Sequence, residues 1–265
     1  MKKNLILLIP FLPLILVLIL YPFLKFEFAK KVYIIKIEEP ILYSDLDIDR
    51  LYYFLKHFDG DGLILYIDSP GGGLETYKIV KALKNLSVPK VCYIKYHGLS
   101  GAYWICSQAD YIISEDYALV GSIGGILMYF NFANLLERLG INITILKTGE
   151  FKDTPNPFRN LTKEDIEFLK KKLDLFVNEF RKDVLSKRNV TNITDVFSAK
   201  WYFGKEAIKL GLVDELGDLE EAKKKIKEML NTTNVIFIEK DFSKKRGFLE
   251  SLIGSYLLFP LALLI

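Results

Sequence analysis

Apolar positions recur along this chain with two periods that alternate. Residues 32–37 (VYIIKI) read as a strand, and residues 47–58 set Ile48, Leu51, Tyr52 and Leu55 on one helical face. Residues 63–67 (LILYI) form a short unbroken apolar run, as in a strand buried on both faces. Pro70 and three glycines end that run. A helix over 74–86, a strand over 91–96, a helix over 100–108 and a short strand over 111–113 follow. Gly121, Gly124 and Gly125 punctuate a turn; beyond it the pattern predicts a strand at 126–130, a helix at 133–139 and a strand at 142–147. The remainder reads as a long helix over 163–188, a short one over 205–210, a strand near 212–214, a charged helix over 219–230 and a strand at 235–238. Strands and helices alternating at short intervals predict an α/β domain with parallel strands and right-handed crossovers. Residues 149–161 are the one long irregular segment, and such loops in compact domains are often functional.

The ends have a different pattern. Residues 5–24 are apolar apart from Tyr21 and three prolines, with Lys2 and Lys3 before them and Lys25, Lys30 and Lys31 after. About 20 apolar residues is the length of a membrane-spanning helix. A cleaved signal peptide would be shorter and end in small residues, whereas this run exits through Tyr-Pro-Phe-Leu-Lys. The expected organisation is a membrane anchor over 1–27, one domain over 28–243 and an apolar tail over 244–265 that enters the membrane, lies at its interface or docks on protein. Basic residues flank the anchor on both sides, so charge leaves orientation open. Asn-x-[Ser/Thr] triplets at Asn85, Asn142, Asn160, Asn189, Asn192 and Asn231 lean slightly towards an extracytoplasmic domain.

Composition narrows the chemistry. With 36 Lys+Arg against 33 Asp+Glu in 265 residues, the net charge of +3 gives no indication of a nucleic-acid partner. Two histidines, His57 and His97, exclude a three-histidine metal site; two cysteines, Cys92 and Cys106, exclude a four-cysteine zinc site and are expected to be small buried apolar residues.

Three segments could carry a site. Asp68-Ser69-Pro70-Gly71-Gly72-Gly73 follows a strand and precedes a helix, at the sheet edge where open α/β folds bind ligands. Its glycines can turn backbone N–H groups towards an anion or oxyanion, although a plain tight turn has the same sequence. His97-Gly98-Leu99-Ser100-Gly101-Ala102 places Ser100 where a strand becomes a helix; it reads either as a helix cap or as an exposed hydroxyl, with His97 one candidate base. Lys147 to Asp153 carries Lys152, a surface charge unless its surroundings favour the free amine.

Taken in order, these segments resemble the signal peptide peptidase SppA family of membrane-associated serine proteases. They are similar to its Ser-Pro-Gly-Gly turn, its nucleophile segment and its Gly-x-x-Lys-Asp segment; Gly121-Ser122-Ile123-Gly124 and the run from Phe203 to Asp214 match two more. The resemblance implies Ser100 as nucleophile, Lys152 as general base, Ser122 as the hydroxyl holding that lysine, and the N–H groups of Gly72 and Gly101 as an oxyanion hole. It implies the spiral of ββα units shared with the ClpP and crotonase groups, and no metal or organic cofactor. It also implies a ring-shaped homo-oligomer in which serine and lysine come from neighbouring protomers, acting on remnant signal peptides and other hydrophobic peptides at the cell membrane. Gly98-Leu99, Ala102, Trp104 and His97 depart from the family pattern. A crotonase-like acyl-CoA enzyme and an inactive membrane scaffold are the alternatives.

Overall fold

The computed structural model describes residues 29–42 and 45–244. The expected anchor and apolar tail lie outside these residues. Among the described residues no helix is long and apolar enough to cross a membrane.

β1 (Lys30–Ile37), α1 (Ile48–Lys56), β2 (Gly62–Ser69), α2 (Thr76–Lys84), β3 (Lys90–Leu99), α3 (Gly101–Cys106), β4 (Tyr111–Ser114) and β5 (Leu119–Gly121) follow in order. Next come α4 (Ala133–Arg138), the long α5 (Lys163–Lys187), α6 (Ile193–Val196), β6 (Trp201–Phe203), α7 (Gly204–Ala207) with a 3-10 turn after it, β7 (Glu215–Leu216), α8 (Leu219–Met229) and β8 (Val235–Asp241). They build one sheet in the order β6-β5-β3-β2-β1-β8, with β4 pairing β3 and β7. Every pairing is parallel except β5 with β6.

The two-residue strand period explains how the sheet is covered. Val32, Ile34, Ile64, Tyr66, Val91 and Tyr93 face α8, where Ala222 and Ile226 close a small core. Ile35, Ile37, Leu63, Leu65, Ile67, Cys92 and Ile94 point the other way, into the larger core under α1, α2, α3 and α5. Burying each such aliphatic side chain contributes roughly 1.5–3 kcal/mol before conformational entropy is charged against it. Helix starts follow capping chemistry. Asp47 accepts from Arg50 N at 3.1 Å, and Thr162 with Asp165 and Asp218 with Glu221 form reciprocal boxes at α5 and α8.

Two expected strands are absent: residues 126–130 and 142–147 are irregular. Both are apolar enough for strands, but among the described residues no neighbouring strand offers them a ladder. From Gly125 to Lys152 no residue is buried. The expected strand at 212–214 forms slightly later, as β7. Cys92 and Cys106 are fully buried, as expected, but they are also joined as a disulfide, with Cα atoms 5.4 Å apart. Cys92 points from β3 directly at the helix that carries Cys106, which a reading of each cysteine alone does not show.

Candidate active site

The site begins at the carboxyl ends of β2 and β3. Ser69, fully buried, donates its hydroxyl to Glu39 O at 2.8 Å and accepts from Gly71 N at 3.2 Å, so the turn after β2 is held from below. Gly71 takes φ +105°, open to glycine. A side chain there would come within 2.8 Å of Gly101 N and Ser100 Cβ, so this turn lies directly against the turn after β3.

Ser100 has φ +50° and ψ −123°, an unusual conformation for a residue other than glycine. Its N–H donates to Gly121 O at 2.8 Å, and its carbonyl accepts from Trp104 N at 3.0 Å. The backbone is thus pinned on both sides while the side chain makes no capping bond to α3. Strain held in place by its surroundings is characteristic of functional turns.

Beside that hydroxyl stand two unspent donors. Among the described residues neither Gly72 N–H nor Gly101 N–H donates to a protein acceptor. They are close together: a Cβ added to Gly101 would lie 3.1 Å from Gly72 N and 2.6 Å from Thr76 Oγ1. Thr76, buried beneath them, has a hydroxyl with no partner among the described residues. A Cβ at Gly72 would lie 2.1 Å from Ile41 O, so only glycine fits there. The two free amides thus lie in adjoining turns next to Ser100, and paired free amides are the kind of donor that can hold an oxyanion.

The other candidates lie elsewhere. His97 Nδ1 is 2.8 Å from Asp68 Oδ1, and no hydrogen bond joins it to Ser100. Ser122 also has positive φ, at +52°, and its N–H is held by Lys200 O. Lys152 lies in the exposed loop, and among the described residues no hydrogen bond or ion pair engages its ammonium, from Ser122 or any other group. Within one chain, then, the structure gathers Ser100, Gly72 and Gly101, while Lys152 bonds to neither serine.

Sequence reasoning missed three features. The β5–β6 pairing that supports Gly121 and Ser122 is three residues long, too short for a periodic signal. Thr76 gives no signal, since its relevance lies only in what it touches. Arg159 links Asp153 to Asp165; the Thr162-x-x-Asp165 capping pattern alone could have pointed there. The aromatic pair after Ser100 is core: Trp104 stacks on Phe180 with ring centroids 4.8 Å apart and donates to Asp183 Oδ2, and Tyr103 donates to Leu212 O.

Fold and site together define an α/β protein that presents a pinned serine hydroxyl next to two unpaired backbone amides. The chain belongs to peptidase family S49, whose family model matches residues 82–233. It is 36% identical over 191 residues to MJ0651 of Methanocaldococcus jannaschii, provisionally named a protease, covering 70% of this chain and 61% of that protein. It is 32% identical over 204 residues to an Enterococcus faecium protein provisionally named signal peptide peptidase SppA, covering 73% of this chain and 58% of that one. The chain thus spans about six tenths of each relative's length. A solved structure of the membrane-bound stomatin-specific protease 1510-N, a lysine-to-alanine mutant in complex with a substrate peptide, shares the fold. The TM-score is 0.53 and the identity 19%, over 86% of this chain and 98% of that one.

Proposed function

We propose that this chain is a serine endopeptidase whose nucleophile is Ser100 and whose general base is Lys152, acting on hydrophobic peptides, remnant signal peptides among them, at a membrane surface. The observation that carries this reading is the pinned, positive-φ Ser100 beside the unspent amides of Gly72 and Gly101. Neutral Lys152 takes the Ser100 proton as Oγ attacks the scissile carbonyl. The two amides hold the oxyanion, Lys152 returns the proton to the leaving amine, and water activated by the same lysine releases the acyl group. The residues present need no metal or cofactor for these steps.

We further propose a ring of identical chains, with the ββα spiral of the ClpP and crotonase groups, in which Lys152 of one protomer serves Ser100 of the next and Ser122 orients the lysine. In support, the Lys152 arm bonds to neither serine of its own chain and exposes Ile126, Phe130, Leu139 and Leu146, the last 93% exposed. The anchor over 1–27 would concentrate enzyme where signal peptides are released. A disulfide at Cys92–Cys106 is in keeping with an extracytoplasmic domain.

The test is cleavage of a hydrophobic peptide library by the full chain, by Ser100→Ala, by Lys152→Ala and by the two variants mixed. The parent cleaves, each variant alone does not, and verified mixed rings regain part of the activity. Cleavage by Ser100→Ala overturns the serine mechanism, and no recovery in mixed rings overturns the shared site.

A further inference from the structure

The arm that carries Lys152 is not buried, yet both neighbours of the lysine are engaged: Phe151 stacks on Phe168 of α5 with ring centroids 4.8 Å apart, and Asp153 is heavily bonded. Asp153 receives Arg159 Nε on Oδ2 at 2.7 Å and Arg159 Nη2 on Oδ1 at 3.0 Å. It also accepts Lys147 Nζ at 2.6 Å and Asn156 Nδ2 at 3.2 Å. The adjoining edge of the same guanidinium, Nη1 and Nη2, reaches both oxygens of Asp165, and Nη2 also lies 3.2 Å from Thr154 Oγ1. Asp165 is the residue whose carboxylate closes the capping box of α5 by accepting from Thr162 N at 3.0 Å. Side chains of Asp153 and Asp165 are 11% and 4% exposed, so the carboxylates are sheltered, while the cations on them, Arg159 and Lys147, remain partly open to water.

α5 leads back to the body. Phe180 and Asp183, on its far half, hold Trp104 by stacking and by the indole hydrogen bond, and Trp104 belongs to α3, the helix that starts at Ser100. Each of these contacts is well packed or charge-assisted. The loop bearing Lys152 is therefore tied to α5, and through α5 to the helix beneath the nucleophile, by the Thr154 hydroxyl donating to Asp165, by Phe151 stacked on Phe168 and by the Arg159 guanidinium, which is the group that joins the two carboxylates.

We propose that Arg159 is the positioning residue for Lys152: by bridging Asp153 and Asp165 it fixes the base to the rigid body of its protomer. This rests on the reading of Lys152 as general base given above. Arginine suits the task because its planar fork offers paired donors along two edges, one for each carboxylate. A lysine has one nitrogen and cannot span both in that geometry. In a ring where Lys152 serves a neighbouring Ser100 the need is the same, because a base on an unattached arm would have no defined offset from either body. Displacement of a catalytic group by about 1 Å costs on the order of 100-fold in rate.

The test compares the full-length parent, Arg159→Lys, Asp165→Asn and Lys152→Ala on one peptide substrate, reading kcat, KM and the urea midpoint. Arg159→Lys is expected to lower kcat by roughly 100-fold with little change in KM. Asp165→Asn, which keeps the shape and can still accept the Thr162 N–H, should show the same effect more weakly. It decides the matter if Arg159→Lys fails to fold. A variant with a lower urea midpoint but the parent's kcat overturns the proposal, because that is what a purely structural clamp would give. If Lys152→Ala is fully active, the base assignment itself fails. If Lys152→Ala is inactive while Arg159→Lys matches the parent, only the role of Arg159 fails.

Discussion

At the scale of single residues, the site depends on absent side chains as much as on present ones. Gly101 leaves room for Thr76 Oγ1 and Gly72 N, which a Cβ would approach to 2.6 and 3.1 Å. Gly101→Ala is therefore expected to push one amide out of line. Losing an oxyanion donor costs about 2.7–4 kcal/mol, or 10²–10³ in kcat. Adding Thr76→Ala removes the nearest colliding atom and should restore part of that loss. An unchanged kcat in Gly101→Ala would show that its amide plays no part. Much of this was legible in the order of motifs: Ser100, Gly72 and Gly101 are singled out by the family resemblance, and the structure brings them together. The orphan hydroxyl of Thr76 and the His97–Asp68 pairing were not legible. Both are contacts between residues far apart in sequence, set by how β2 and β3 align after the bulge between Ile67 and Ser69.

At the scale of elements, β3 and α3 form the hinge on which Ser100 is mounted, and the Cys92–Cys106 disulfide ties one to the other across a sequence separation of 14. Closing a loop of about that size stabilises a fold by ~3 kcal/mol through the unfolded chain. Because both sulfurs are buried, reductant reaches them only after unfolding. A urea titration in reductant should show a midpoint lowered by a corresponding amount, and an unchanged midpoint would mean that the bridge adds nothing. The arm clamp has its own pH signature. Arg159 holds the carboxyls of Asp153 and Asp165 well below the usual carboxylate range. Groups depressed in this way stabilise the fold fully above their unfolded pKa of about 3.9 and lose that contribution only as pH falls through their lower folded values. Limited proteolysis of the 149–161 loop should therefore stay constant from about pH 8 to 5. Nicking that rises steeply near pH 6 would contradict the clamp. The helices and central strands were legible because their apolar periods are strong. The strands expected at 126–130 and 142–147 were not realised because apolar sequence cannot supply a missing ladder partner.

At the scale of the whole molecule, a parallel sheet buried on both faces supports a thinly packed arm that places its apolar residues and its lysine outward. Among the described residues of a single chain, Ser100 and the free amides of Gly72 and Gly101 lie together with no lysine bonded to them, which is the physical reason for proposing a site shared between chains. Alternation of strand and helix along the sequence reveals the layered body, whereas the arm's separation from that body is a property of packing. The claim on which the rest depends is that Ser100 is activated by Lys152. Reaction of the full-length assembly with a fluorophosphonate, mapped by mass spectrometry, tests it most directly. The account predicts a single adduct on Ser100, formed faster as pH rises and nearly abolished in Lys152→Ala. An adduct on another residue, or labelling of Ser100 that proceeds equally without Lys152, would contradict it.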